Sequence, residues 1–143
     1  RATNITYRWI DQGAVEGLVI AETTYRQAAG LIEVALKNYI ADKTNWRKML
    51  TNDLTQESLE SVREFLSDKI PEKLKQYLVK KEKLTIDFPV LEYPKKVSSL
   101  KLDKIPSFEE KLMGIKGQYL IFDQGKVINL RSHSGYFINI TEC

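Results

Sequence analysis

Apolar positions follow two different periods along the chain, and the period changes near residue 83. Between residues 23 and 80 they recur every three or four positions, which is the spacing of one helix face. Between residues 84 and 141 they alternate or form short runs, which is typical of β-strands. The pattern predicts an α+β fold, with an N-terminal αβ portion and a helical segment followed by a small antiparallel β-barrel or rolled sheet.

Capping residues and helix breakers divide the first part. The predicted elements are a short helical or irregular segment over residues 1–11 before Gly13, a helix over 24–41, a short helix over 45–50, and a helix from 55 to a break at Pro71. Thr24 and Gln27 form a predicted capping box, and Leu54 and Leu59 a hydrophobic staple. The run over residues 15–23 suits a buried strand.

Five or six short strands are predicted in the second part. They cover residues 84–88, 97–102, 108–115, 118–122, 127–131 and 136–141. A hairpin turn is expected over Asp123–Lys126, and Gly114 and Gly117 indicate a bend or bulge. The chain therefore divides into an αβ portion (1–50), a helical linker (51–83) and a small β-barrel (84–143).

Composition is ordinary for a globular protein, with 43% hydrophobic and 29% charged residues. It excludes a disordered tail, and no apolar run approaches the roughly 20 residues of a membrane span. The net charge is +3 and is spread evenly. Lys95 and Lys96, followed by Lys101 and Lys104, are the clearest basic candidates, either for nucleic acid or as a solvated loop.

Cysteine is used once, at Cys143, which excludes an internal disulfide. Cys143 and His133 are too few soft ligands for a structural zinc site, so no zinc is expected. No signal-peptide pattern opens the chain, and a cytoplasmic location is expected. The start at Arg1 indicates a processed or excised piece.

Two stretches carry a family resemblance. The first comprises RWIDQGA (8–14), AGLIE (29–33) and KTNWR (43–47), and the second GIKGQYLIFD (114–123), NLR (129–131) and SGY (134–136). Together they closely resemble the bacterial domain-of-unknown-function 2797 family, over about residues 4–50 and 84–140. That family implies no established activity.

A weaker resemblance links this pattern to the GIY-YIG nuclease superfamily, without its N-terminal tyrosine-bearing hairpin. It implies catalytic roles for Arg8, Glu33 and Asn45, with Glu33 as the ligand of a Mg²⁺ ion. A guanidinium matches a phosphate, and one carboxylate can hold a hydrated Mg²⁺ that acts as a Lewis acid. Structural alternatives stay open: Glu33 can pair with Lys37 four residues on, and Arg8 can form a surface ion pair or pack beside Trp9.

Other candidates lie in the second part. Arg8, Lys95, Lys96, Lys116 and Arg131 are the predicted nucleic-acid contacts. The loop that holds Lys116 (residues 114–117) is similar to a phosphate-gripping glycine loop, although its glycines also suit a bulge.

The lone histidine and four aromatic residues leave further alternatives open. His133 is either a proton-transfer or phosphate-contacting group, or part of a polar hairpin. Tyr119, Phe122, Tyr136 and Phe137 are either a base-stacking platform or, for at least half of them, core.

The leading hypothesis is binding of DNA or RNA, with metal-dependent phosphodiester cleavage in the full-length form. The alternative is a non-enzymatic protein-interaction module that presents an edge or groove. One concave basic surface would favour the first hypothesis. Scattered charges with an exposed apolar patch would favour the second. A metabolic enzyme is the third choice, since no cofactor fingerprint is found.

Overall fold

The computed structural model describes residues 4–142, which form a mixed α+β fold. The predictions that concern Arg1 and Cys143 lie outside these residues. The helices are α1 (Ile5–Asp11), α2 (Arg26–Leu36), α3 (Trp46–Leu50), α4 (Leu59–Lys69) and 3₁₀ helices at Glu72–Tyr77, Asp123–Gly125 and Arg131–His133. The strands are β1 (Glu16–Gly17), β2 (Leu84–Thr85), β3 (Ser98–Ser99), β4 (Leu112–Lys116), β5 (Tyr119–Phe122) and β6 (Lys126–Asn129). None of the helices between residues 4 and 142 is long and apolar enough to cross a bilayer.

Of the two alternatives for the segment before Gly13, helical or irregular, the described residues form the helix α1. Asn4 caps it, since its side-chain oxygen accepts a hydrogen bond from the Thr6 N–H at 3.0 Å. The predicted strand over residues 15–23 is mostly wrong, because only β1 within it forms a ladder, antiparallel to β2. Ala21 adds an isolated antiparallel bridge to Leu78.

Helices α2 and α4 share one hydrophobic cluster with the 3₁₀ helix that follows them. Its buried members are Ile32, Leu36, Leu66, Ile70 and Leu74. The predicted helix over 24–41 is shorter at both ends. The residue at its N-cap is Tyr25, which makes no side-chain cap bond, so the capping box does not form. At the other end Tyr39 lies outside the core, edge-to-face on Phe65 with ring centroids 5.9 Å apart.

The start of α4 also differs from the prediction. Ser58 caps the helix, accepting from the Ser61 N–H at 3.4 Å, so the helix begins at Leu59 and not at Thr55. Leu54 is half exposed and does not complete a staple. The predicted break at Pro71 is confirmed, since α4 ends at Lys69. Proline has no N–H and cannot continue the helical hydrogen bonds.

The main sheet has the strand order β3-β6-β5-β4. Strands β4, β5 and β6 form an antiparallel meander, but β3 pairs with β6 in parallel, so the sheet is mixed and not purely antiparallel. Residues 88–91 lie along the outer edge of β4: Leu91 N donates to Met113 O at 2.8 Å, and Ile115 N donates to Pro89 O at 3.0 Å. This edge is therefore occupied, and the described strands form no closed barrel.

The local features of the β4–β5–β6 meander agree with the sequence. The pairing of β4 with β5 shifts between Leu112 and Gly114, which confirms the predicted bulge. Asp123–Gly125 forms the predicted hairpin turn. The predicted strand over residues 136–141 is wrong, since this segment has no regular structure.

Apolar residues are buried on both sides of the β5–β6 hairpin. Ile121 and Val127, which face each other across the strands, pack on Leu50 of α3. Phe122 and Ile128 pack with Leu100 in a second cluster. The short helix α3 is thus fixed to the sheet, and this contact positions the surface described next.

Candidate binding surface

The sequence-predicted site residues lie in different parts of the fold. Arg8 is exposed on α1 and Glu33 is exposed on α2. Helix α1 packs through Trp9 against Gly17 and is followed by Gly13, which contacts Met49 of α3. Helix α2 instead belongs to the cluster with α4. The joint catalytic role of Arg8 and Glu33 stays a prediction.

Asn45 has a structural role in the fold. Its side-chain oxygen accepts a hydrogen bond from the Lys48 N–H at 3.2 Å and so caps α3. Asparagine is among the preferred N-cap residues because its oxygen satisfies a backbone donor that the helix leaves unpaired. A catalytic role for Asn45 stays a prediction.

Lys116 is fully buried on β4. Its Nζ donates to Met49 O at 3.0 Å and to Asn52 Oδ1 at 3.1 Å. It lies 4.7 Å from the centroid of the Tyr93 ring and 5.6 Å from that of Phe88. Burial lowers the pKa of Lys116, because removal from water disfavours the charged form. Lys116 therefore fastens the C-terminal end of α3 to the sheet and is not part of the exposed basic surface.

Lys95 and Lys96 are exposed, and they lie near the β5–β6 turn. Gly125 in that turn packs directly against the backbone of Lys96. Arg131 follows the other end of β6. The five predicted nucleic-acid contacts thus do not form a single surface, since one is buried and the exposed lysines lie at the opposite end of the hairpin from Arg131.

Three elements converge where β4 turns into β5. Arg131 forms an ion pair with Asp11 of α1, with Nη2 3.4 Å from Oδ2. Gly117, in the turn, has a φ of +59°, and a Cβ there would lie 2.9 Å from the carbonyl oxygen of Asp11. The end of α1, the turn and the end of β6 are therefore held together without space between them.

An aromatic stack on α3 adjoins this point. The rings of Trp46 and Tyr119 are parallel, with centroids 5.8 Å apart and planes 9° apart. The Arg47 guanidinium lies over the Trp46 ring, 4.3 Å from its centroid. We call the exposed face of α1 (Tyr7, Arg8, Asp11), Arg131 and the stack of Arg47, Trp46 and Tyr119 the junction surface.

His133 is held by backbone groups on both sides of its ring. Nδ1 lies 2.8 Å from Asn129 O, and the Leu102 N–H donates to Nε2 at 3.2 Å. Nδ1 is therefore the protonated nitrogen, because Nε2 must accept. His133 ties the end of β6 to the loop after β3. This agrees with the alternative in which His133 has a structural role in a polar hairpin.

The segment over residues 136–141, here called the C-terminal segment, exposes its apolar side chains. Phe137 is fully exposed, and Ile138 and Ile140 are 54% and 83% exposed. Tyr136 anchors the segment through a hydrogen bond from its hydroxyl to Asp103, which raises the pKa of Tyr136. Of the predicted stacking platform, Phe122 is core and Phe137 projects into solvent.

An apolar groove of about 450 Å³ runs beside β4, between residues 88–91 and 112–115. Leu91, Leu112 and Ile115 are exposed along it. The residues that line it are apolar, although part of the surface they present is polar backbone.

Metal-binding groups do not cluster in the part of the chain that the structure describes. No set of three or more histidine, cysteine, aspartate or glutamate side chains is close enough there to hold an ion. The magnesium prediction rests on Glu33 alone and stays a prediction.

The structure is that of an α+β protein with two different kinds of exposed surface. One is cationic and aromatic, and the other is apolar. A family model described as protein of unknown function (DUF2797) matches residues 1–138, so the chain belongs to that family. Searches of curated proteins and of solved structures gave no match.

Proposed function

We propose that this protein is a non-enzymatic protein-interaction module whose C-terminal segment docks as a β-strand on a partner. The observation that carries the proposal is the exposure of Phe137, Ile138 and Ile140 in a segment without regular structure. Lys116 is buried, and Lys95 and Lys96 lie at the opposite end of the hairpin from Arg131, so these residues do not support a nucleic-acid surface of the kind predicted from the sequence.

The chemistry of the C-terminal segment suits strand pairing. Aromatic and β-branched residues dominate it, and these have the highest strand propensity. Among the described residues, no backbone–backbone hydrogen bond involves residues 137–142. A strand with unpaired backbone groups and apolar side chains gains both hydrogen bonds and apolar burial when it adds to another surface.

The partner that this chain itself supplies is a second copy. The edge of β4 is already paired with residues 88–91, so the second copy would receive the segment on the apolar groove beside that edge, where Leu91, Leu112 and Ile115 are exposed. The segment is anchored through Tyr136 to Asp103 in the loop after β3, and β3 and β4 are opposite edges of the sheet. Reciprocal exchange of segments would close a two-fold dimer.

Sedimentation velocity over a wide concentration series tests this proposal. We expect wild type to pass from monomer to dimer as concentration rises. Phe137→Asp and Leu112→Asp should each weaken association at least about tenfold, because either places a charge in an apolar contact. Leu54→Asp is the matched control, since Leu54 is a 49% exposed leucine in a loop outside both surfaces.

Two results would overturn the dimer proposal. One is a wild-type chain that remains monomeric at every concentration. The other is a Leu54→Asp variant that loses association as strongly as Phe137→Asp, which would indicate a nonspecific effect of added charge.

A further inference from the structure

We infer that the junction surface binds single-stranded nucleic acid. This goes beyond the proposed protein interaction and uses a different part of the molecule. The site is defined by cationic and aromatic side chains around the β4–β5 turn. Four of its residues, Tyr7, Asp11, Arg47 and Trp46, are not among the binding candidates in the sequence.

The junction surface supplies cations in a form that suits phosphate. Arg8, Arg47 and Arg131 are exposed, and all three carry the planar guanidinium that forms paired hydrogen bonds to phosphate oxygens. The ion pair of Arg131 with Asp11 is largely exposed, at 69% and 52% of the two side chains. Such exposed pairs are weak, so a phosphate can take the place of the carboxylate.

The same surface supplies aromatic groups next to the arginines. Tyr7 is 69% exposed, and it lies four residues before Asp11 on the same face of α1. Tyr119 and Trp46 are partly buried, since they stack on each other and pack against the Leu50 cluster, so Tyr7 is the exposed ring of this surface. Interleaved cationic and aromatic groups are the usual means by which proteins hold single strands, since every base has a face that stacks on a ring.

The frame beneath these side chains is rigid. Gly117 packs on the Asp11 carbonyl oxygen, and Lys116 holds the end of α3 through Met49 and Asn52. The cations and rings are therefore presented in a fixed arrangement, which lowers the entropy lost on binding.

The geometry favours a single strand over a duplex. Helix α1 has seven residues and α3 has five, so each makes about two turns or fewer and offers little length to lie along a major groove. In a duplex the bases are stacked on each other and unavailable to Tyr7. Bases become available to side-chain rings when the strand is single.

Fluorescence anisotropy with labelled single-stranded oligo-dT, oligo-U and a DNA duplex, across a salt series, tests the inference. We expect both single strands to bind at low salt at least about tenfold more tightly than the duplex. Affinity should fall steeply with salt, as counterion release requires. The oligo-dT and oligo-U arms distinguish DNA from RNA as the preferred source.

Paired variants locate the site. The double variant Arg47→Ala, Arg131→Ala should lower the affinity for single-stranded oligonucleotides at least about tenfold and make the salt dependence of that affinity shallower. Lys95→Ala with Lys96→Ala removes the same charge from the opposite end of the hairpin and should change affinity less than about twofold. Tyr7→Ala should lower affinity several-fold with an unchanged salt slope, because it removes stacking and not charge.

Three outcomes would overturn the inference: no single-strand binding at low salt, equal binding of duplex, or an equal loss in the Lys95 and Lys96 variant. Thermal unfolding of each variant shows whether it is folded. Arg47→Lys keeps the charge but not the planar stack, so it gives an intermediate affinity if the guanidinium geometry matters. We expect oligonucleotide binding to be independent of dimer formation. The Phe137→Asp variant, which should not dimerise, should therefore bind oligonucleotides as tightly as wild type does.

Discussion

The junction surface and the C-terminal segment are both exposed, but they differ in what holds them. At the junction, close backbone packing at Gly117 and a buried ammonium at Lys116 fix the elements in place. The C-terminal segment is anchored only at its start, by Tyr136, and its apolar side chains face solvent. A fixed polar surface can select a ligand without changing shape, whereas an unpaired apolar strand gains its order from a partner.

The largest expected effect comes from filling the space at the junction. Gly117→Ala forces a Cβ to 2.9 Å from the Asp11 carbonyl oxygen at a φ of +59°. We expect the free energy of unfolding to fall by about 3 kcal/mol, from backbone strain and the clash together. Denaturant titration measures it.

Gly135→Ala is the matched control for this change. Gly135 also has a positive φ, +88°, but a Cβ there meets open space. Gly135→Ala should lower the free energy of unfolding by only about 1 kcal/mol, because it adds backbone strain without a clash. Equal losses at the two glycines would contradict the close packing described for the junction.

A smaller effect is expected when the buried ammonium is removed. Lys116→Met leaves the Met49 carbonyl and the Asn52 side chain without their donor, at a cost of about 2 kcal/mol near neutral pH. The free energy of unfolding of wild type and of Lys116→Met should be compared between about pH 7 and about pH 10.

The pH dependence of this difference has a definite sign. Burial lowers the pKa of Lys116 from its ordinary value of 10.5 in the unfolded chain. Between the lowered pKa of the folded protein and 10.5, the unfolded chain binds more protons than the folded protein does. The contribution of Lys116 to the free energy of unfolding therefore rises with pH. Wild type should therefore gain stability relative to Lys116→Met as pH increases. A flat or falling difference for Lys116→Met would contradict its burial.

Local features of the fold follow from the sequence. The hairpin turn at Asp123–Gly125, the bulge near Gly114 and the break at Pro71 depend on residues within a few positions, and all are confirmed. Helix starts were less predictable. Thr55 and Ser58 are both capping residues, and packing of α4 decides between them.

Long-range features could not be read from the sequence in the same way. The parallel pairing of β3 with β6 and the ion pair of Arg131 with Asp11 join residues far apart in the chain. Lys116 follows an alternating pattern that predicts a strand, but the pattern does not show that a lysine faces inward. The family resemblance assigned roles to Arg8 and Glu33, but it does not show how their helices pack: α2 joins the cluster with α4, whereas α1 packs through Trp9 against Gly17.

Backbone hydrogen exchange of wild type at low and high protein concentration tests the central claim most directly. We predict that amides of the β4–β5–β6 meander exchange slowly at both concentrations. Amides of residues 137–141 should exchange fast when the protein is dilute and become protected when it is concentrated, with no such change in Phe137→Asp. Fast exchange of the C-terminal segment at every concentration would contradict its role as a docking strand.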